Sequence, residues 1–114
     1  MEFDLRVKHH DERAVVHVDG EVDLATCSRL RDVLAELIDH GVYHLIVDLE
    51  RVSFLDSSGM GVLVTALRRV RERDGSLRLT APSPQVRRVL ELTGITKLLP
   101  TYATLDEAAL VEPL

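Results

Sequence analysis

Residues 52–64, VSFLDSSGMGVLV, hold an apolar run, a polar break at Asp56-Ser57-Ser58-Gly59 and a second apolar run with glycines. Just upstream, YHLIVDL (43–49) is apolar and rich in β-branched residues, as expected of a central strand buried on both faces. After the break, apolar residues recur every three or four positions, which is typical of one face of a helix. The sequence therefore predicts a strand, a short loop and a helix, with the serines where the helix starts. The apolar positions are Met60, Leu63, Val64, Leu67 and Val70.

The alternation of strand and helix also extends towards the N-terminus. FDLRV (3–7) and AVVHVDGEV (14–22) are two predicted strands joined by a turn, which makes a hairpin. A second apolar stripe follows and predicts a helix that Gly41 terminates. That stripe consists of Leu24, Cys27, Leu30, Leu34, Leu37 and Ile38.

Towards the C-terminus the same pattern repeats. SLRLTA (76–81) is a predicted strand, and Ser83-Pro84 opens a short helix that Gly94 ends. KLLPTY (97–102) fits a short edge strand, where a proline is tolerated. Thr104-x-x-Glu107 is a capping box for a last helix through Leu110.

The predicted order is β-β-α-β-α-β-α-β-α. Because helices connect successive strands, the sheet should be mixed but mostly parallel, with the N-terminal hairpin adding an antiparallel edge. We expect one α/β domain over residues 1–114, with about four helices packed on its sheet.

Composition argues against several kinds of binding partner and indicates a cellular compartment. A net charge of −5 argues against nucleic acid or an anionic membrane as the main partner, and 4% aromatic residues argue against a stacking site. No apolar stretch is long enough to span a bilayer, and the acidic Met1-Glu2-Phe3-Asp4 does not open a signal peptide. A single cysteine, Cys27, suits a reducing cytoplasm. We expect no cofactor.

The adjacent serines allow several interpretations. A nucleophilic serine would need an esterase elbow or a nearby histidine, and the motif has neither, so we expect no catalytic residue and no enzyme. Gly59-x-Gly61 resembles a piece of a nucleotide loop but lacks its third glycine and its lysine. Small residues that let the helix start lie close to the sheet are the plainer explanation.

The remaining interpretations place a hydroxyl at a helix N-terminus. Ser57 should be the N-cap of the helix or its neighbour, beside unpaired backbone N–H groups and a partial charge of about +0.5. A phosphate of about −1.5 to −2 is tolerated there. Ser57 is therefore either a plain capping residue or a residue that accepts a phosphoryl group.

Two motifs together favour the second interpretation. GEVD (20–23) and VDLERVSFLDSSGMGVLV (47–64), with SPQVRRVLELTGI (83–95), resemble the STAS domain of anti-sigma factor antagonists over nearly the full length. The resemblance implies a cytoplasmic bacterial protein that binds an anti-sigma factor with serine-kinase activity and so frees a sigma factor. It also implies inactivation by phosphorylation and reversal by a serine phosphatase, that is, partner switching in transcription regulation.

The resemblance also implies the site. The phosphorylated serine follows the aspartate, which makes it Ser57, and Asp23 matches an acidic residue that lies beside it and contributes to the partner surface. Met60 stands where the family usually has leucine, so an apolar side chain is kept. The implied partner-binding residues are Asp23, Asp56, Ser57, Ser58, Gly59 and Met60. The alternative is a STAS adaptor or scaffold subunit that no kinase regulates, for example in a transport complex.

Other reactive residues have structural explanations. His9, His10 and His17 could meet across the hairpin, but no carboxylate or thiol completes a metal site at a recognisable spacing, so we expect no metal. Cys27 should be a small core residue. The arginines of the second helix should form its solvated face. We expect a monomer or a weak dimer.

Overall fold

The structure is a computed structural model that describes residues 2–110. The predicted domain of 1–114 includes residue 1 and residues 111–114, which lie outside the described residues. The elements are β1 (Asp4–His10), β2 (Arg13–Val22), α1 (Cys27–Asp39), β3 (His44–Leu55), α2 (Ser57–Arg71), β4 (Ser76–Thr80), α3 (Pro84–Leu92), a 3-10 helix (Ile95–Lys97), β5 (Thr101–Tyr102) and α4 (Leu105–Leu110).

The five strands form one sheet in the order β1-β2-β3-β4-β5. The β1–β2 hairpin is antiparallel, and the pairs β2–β3, β3–β4 and β4–β5 are parallel. The mixed, mostly parallel sheet with an N-terminal hairpin is therefore confirmed. Because β2, β3 and β4 run in the same direction, their carboxyl ends meet at one edge of the sheet.

Apolar side chains cover the two faces of the sheet unequally. The main core lies between one face and helices α1, α2 and α3, with residues such as Val16, Leu34 and Leu63 fully buried. On the other face Val15 and Ile46 pack against Ala108 of α4. One face is thus closed by three helices, and within residues 2–110 the other is covered only in part.

Capping residues start and stop the helices as the sequence indicates. Ser83 caps α3 by accepting a hydrogen bond from the Val86 N–H at 3.2 Å, and Pro84 occupies its first turn. Gly94 follows α3 with a φ of 77°, a left-handed conformation that glycine adopts without steric cost. Thr104 accepts a hydrogen bond from the Glu107 N–H at 3.1 Å at the start of α4.

Two predicted element boundaries are wrong beside the strand ends. β3 does not stop at residue 49 but continues to Leu55, because β2 pairs with it as far as Val22 and Leu55. α1 begins at Cys27, and Leu24 is not on its apolar face but 81% exposed in the preceding turn. The Asp23 carbonyl accepts hydrogen bonds from the N–H groups of Thr26 and Cys27, which closes a turn ahead of the helix.

The predicted edge strand over 97–102 is shortened to Thr101–Tyr102. A 3-10 turn replaces its first part, since the N–H groups of Leu98 and Leu99 both donate to the Ile95 carbonyl. Burial of Leu99, which is 0% exposed, stabilises this turn.

Candidate functional site

The candidate site lies where β2 and β3 end side by side. Val22 and Leu55 are paired in the parallel ladder, and the Asp56 N–H donates to the Val22 carbonyl at 3.1 Å. Asp23 and Asp56 each follow one member of that pair. Since neighbouring strands lie about 4.8 Å apart, the two aspartates begin adjacent loops at the same edge of the sheet.

Asp56 is the N-cap of α2. Its carboxylate accepts hydrogen bonds from the N–H groups of Ser58 at 2.9 Å and Gly59 at 3.2 Å, and from the Ser58 hydroxyl. Aspartate is among the best N-cap residues because it satisfies N–H groups that have no partner inside the helix. Ser57 is therefore the first helical residue, the neighbour of the cap.

The environments of the two serine hydroxyls differ. Ser57 is exposed, and within residues 2–110 its hydroxyl has no hydrogen-bond partner. Ser58 is half-buried, and its hydroxyl is held by the Asp56 carboxylate. Of the two, Ser57 has the more exposed side chain, and its hydroxyl is not engaged by Asp56.

The same contacts set the charge of Asp56. The hydrogen bond from the Ser58 hydroxyl, together with bonds from the backbone N–H groups of Gly59, Ser58 and Leu24, lowers the pKa of the Asp56 carboxyl despite its partial burial. The carboxylate is thus ionised at neutral pH.

Asp23 organises that second loop. Its carboxylate accepts hydrogen bonds from the N–H groups of Ala25 at 3.0 Å and Thr26 at 3.1 Å, and the Thr26 hydroxyl donates to the Glu21 carbonyl at 2.7 Å. Asp23 therefore holds the turn before α1 and does not cap the helix itself, whose N-cap is Thr26. Within the described range of 2–110, neither Asp23 nor Asp56 forms an ion pair with a lysine or arginine.

Exposed apolar side chains accompany the polar loops. Leu24 is 81% exposed, and Phe54, two residues before Asp56, is 44% exposed. Met60 is half-buried, with its sulfur 3.6 Å from the Thr93 hydroxyl of α3. Sequence reasoning missed Leu24 and Phe54. The signal for Leu24 was Asp23 followed three residues later by Thr26, a pattern that favours a capped turn over a continuing helix.

Gly59 allows α2 to begin close to the sheet. A Cβ atom on this buried residue would lie 2.6 Å from both Leu55 Cδ1 and Val22 Cγ1, closer than side-chain atoms approach. At Gly61, by contrast, an added Cβ would meet nothing within 4 Å. Close packing of the helix start therefore accounts for Gly59 without a nucleotide.

The histidines lie in other parts of the fold. His17 bonds to Asp48 at 2.7 Å, His40 bonds to the Glu36 carbonyl, and His44 bonds to the Ser76 hydroxyl. His9 and His10 are exposed on β1. In the part of the chain that the structure describes, no histidine bonds to either serine. The site thus offers no imidazole base to activate Ser57.

The hairpin does not bring its histidines together either. His17 lies opposite Arg6, and His9 lies opposite Ala14. Among residues 2–110, no three His, Cys, Asp or Glu side chains converge on a point that could hold a metal ion. Cys27 is partly buried and packs against the main core.

The arginines at the end of α2 are largely exposed. Arg69 forms an ion pair with Asp39 at 2.6 Å, and the Arg73 guanidinium lies 5.6 Å from the centre of the Tyr43 ring. They sit at the opposite end of α2 from Ser57 and are not part of the site.

The fold described above recurs in a known family. The family model of the STAS domain matches residues 4–108, and the chain belongs to this family. It is 28% identical over 103 residues to an anti-sigma F factor antagonist of Paenibacillus polymyxa, covering 90% of this chain and 88% of the relative. Within residues 2–110, no helix is long and apolar enough to cross a membrane.

Solved structures agree with this assignment. An anti-sigma factor antagonist from Mycobacterium paratuberculosis superimposes with a TM-score of 0.82 at 32% identity, covering 95% of this chain and 92% of the other. The anti-sigma factor antagonist SpoIIAA in its unphosphorylated form gives a TM-score of 0.79 at 31% identity, covering 95% and 93%. The phosphorylated form of SpoIIAA, a Bacillus cell fate determinant, gives 0.72 at 30% identity, covering 95% and 96%.

Proposed function

We propose that this STAS domain is an anti-sigma factor antagonist that phosphorylation of Ser57 inactivates. The unmodified protein binds an anti-sigma factor with serine-kinase activity and thereby frees a sigma factor. The observation that carries the proposal is the exposed hydroxyl of Ser57 at the first position of α2, which bonds to nothing within residues 2–110, next to a Ser58 hydroxyl that is already bonded. A relative known in phosphorylated and unphosphorylated forms supports the modification.

Phosphorylation of Ser57 requires the catalytic groups of the partner kinase. Among residues 2–110 no histidine bonds to the Ser57 hydroxyl, and in the proposed reaction the kinase supplies ATP and the groups that transfer the phosphoryl group. The helix N-terminus then accepts the new charge, because its N–H groups and dipole favour an anion. A serine phosphatase restores the hydroxyl. The proposed function is that of a cytoplasmic protein, and the single cysteine supports this location.

The proposed partner surface combines both loops. Asp23, Asp56, Ser57, Ser58 and Met60 surround the helix start, and Gly59 is buried beneath them, so it contributes by letting the helix lie close to the strand ends. To these we add Leu24, whose apolar side chain is 81% exposed. An exposed leucine beside two carboxylates offers a partner both apolar contact and charge.

The switch should act at the interface. In the complex, a phosphoserine dianion would be desolvated against a surface that fits a hydroxyl. A buried unpaired charge costs about 3–5 kcal/mol, which is roughly a few hundred-fold or more in affinity. The two carboxylates nearby, Asp23 and Asp56, supply no positive charge to compensate it.

The test is a titration of the protein against its cognate anti-sigma kinase, with ATP added in a second step. We expect tight binding without ATP, a single added phosphate by intact mass, and that phosphate on Ser57 by peptide mapping. Ser57→Ala should bind and stay unmodified, Ser57→Asp should bind weakly, and the matched variant Ser58→Ala should still be phosphorylated.

Three outcomes contradict the proposal. Phosphate on Ser58 in the Ser57→Ala variant would refute the acceptor. Equal affinity of the modified and unmodified proteins would refute the switch. A kinase partner that neither binds nor modifies the protein would leave the adaptor or scaffold function as the explanation of the fold.

A further inference from the structure

Met60 follows Ser57 in the first turns of α2, at the border between the main core and the surface. Its side chain is half-buried and packs against the residues of that core. Its backbone N–H donates to the Asp56 carbonyl at 3.0 Å, so the helix start that carries Ser57 also carries this side chain. Met60 is thus a thioether within the proposed partner surface.

The sulfur of Met60 has a polar neighbour on another helix. Its Sδ atom lies 3.6 Å from the hydroxyl of Thr93, the C-cap residue of α3. That hydroxyl also lies 2.9 Å and 3.1 Å from the carbonyl oxygens of Val89 and Leu90, which are stronger acceptors than a thioether. Because Thr93 is exposed, the sulfur lies at the rim of the core beside a donor, and not in the centre of the core.

We propose that Met60 is a second modification site, at which a peroxide oxidises the thioether to a sulfoxide and so weakens partner binding. A sulfur lone pair attacks one oxygen of hydrogen peroxide, the O–O bond breaks, and water leaves after proton transfer. The sulfur loses two electrons and the peroxide gains them. A methionine sulfoxide reductase reverses the step. The loss of binding rests on the proposed function, whereas the oxidation itself does not.

The fold should accommodate the added oxygen. A sulfoxide oxygen is a hydrogen-bond acceptor that would be costly if it were buried without a donor. At Met60 the hydroxyl of Thr93 stands beside the sulfur as a donor, and solvent adjoins the exposed Thr93. The partner, by contrast, would meet a polar and chiral group in place of an apolar side chain. Oxidation should therefore act on binding more than on stability.

The first test uses the full chain without a partner. The protein is treated with hydrogen peroxide in its folded state and again in denaturant, and peptide mapping locates the added oxygen, because the chain also contains Met1. We expect Met60 to be oxidised in the folded protein, with an unchanged circular dichroism spectrum and full reversal by a methionine sulfoxide reductase. Oxidation of Met60 only in denaturant, or unfolding of the oxidised protein, would overturn the proposal.

The second test titrates each protein against the cognate anti-sigma kinase before and after treatment with peroxide. Oxidation should weaken binding of the unsubstituted protein by about tenfold. Met60→Leu cannot form a sulfoxide, so its own affinity should be the same before and after treatment. Cys27→Ala is the control for the other sulfur among residues 2–110, which packs against the same core, and this variant should still lose affinity on oxidation.

The outcomes separate the oxidation of Met60 from the proposed function. Equal affinity before and after oxidation, or an equal loss in Met60→Leu, would overturn the role of this methionine. A loss that disappears in Cys27→Ala would assign the effect to the cysteine instead. Failure of the untreated protein to bind the kinase would refute the proposed function, and the first test would still decide whether Met60 is a modification site.

Discussion

Asp56 and Ser58 are hydrogen-bonded through their side chains, and the hydroxyl of Ser57 between them has no partner among the described residues, 2–110. Adjacent serines at a helix start are equivalent by position alone, and this bond makes them chemically different. Ser58 stabilises the capping carboxylate, while Ser57 stays available. The difference leads to a direct test of the local electrostatics.

Removing the Ser58 hydroxyl should change the titration of Asp56. The hydroxyl bond is the largest cause of the lowered pKa of Asp56, so in Ser58→Ala the pKa should rise towards its ordinary value. Ser57→Ala is the matched control and should leave this pKa unchanged. Carboxyl ¹³C shifts followed with pH measure both variants, and an equal rise in both would contradict the assigned bond.

The cap formed by Asp56 should stabilise the fold in a pH-dependent way. Asp56→Ala should lower the free energy of unfolding by about 0.5–2 kcal/mol at neutral pH. The pKa of Asp56 is lower in the folded state than in the unfolded state. The ionised carboxylate therefore contributes stability that is fully present above the pKa of the unfolded state, about 3.9, and is lost as the pH falls through the pKa of the folded state. Denaturant unfolding at pH 7 and in steps below about pH 4 should show the difference from wild type shrinking with acid.

Two glycines in the first turns of α2 should respond oppositely to alanine. Gly59→Ala places a methyl group against Leu55 and Val22 and should cost about 1–3 kcal/mol. Gly61→Ala meets open space and should stabilise the helix by up to about 1 kcal/mol. Denaturant unfolding of both variants measures this, and a loss of stability at Gly61 equal to that at Gly59 would contradict the packing described here.

Leu24 should matter for binding and not for stability. Leu24→Ala should melt like the unsubstituted protein, because the side chain is 81% exposed, yet weaken binding to the anti-sigma partner by about fivefold or more. The control is Leu110→Ala, an equally exposed leucine of α4 on the other face of the sheet, which should change neither property. Asp23→Ala, which removes the hydrogen bonds that hold the turn before α1, should lower stability as well.

Much of this fold follows from local sequence signals. Ser83-Pro84 and Gly94 delimit α3 because capping and left-handed backbone are decided by residues close in sequence. Asp56 before Ser57 likewise placed the start of α2 to within one residue. These features depend on side chains that bond to their own neighbouring backbone.

The wrongly predicted boundaries of β3 and α1 have two causes: pairing between residues far apart in sequence, and local hydrogen bonds that compete with the helix. The extension of β3 to Leu55 depends on pairing with Val22, a residue far away in sequence. Leu24 fits the apolar period of α1, but hydrogen bonds to Asp23 favour a separate turn there. Apolar periodicity alone could not tell a buried leucine from one that a loop presents to solvent, and so it missed part of the candidate site.

Phosphorylation of Ser57 should leave the fold nearly unchanged. The phosphate would sit at the N-terminus of α2, where N–H groups and the helix dipole favour an anion, but the ionised Asp56 next to it opposes the new charge. The two effects act in opposite directions, so the melting temperature should move little. Amide shift changes should be confined to the first turn of α2 and the neighbouring loop at Asp23 and Leu24. Changes spread over β3 and β4 would mean that the modification alters the whole domain, and loss of partner binding would then reflect a conformational change instead of repulsion at the surface.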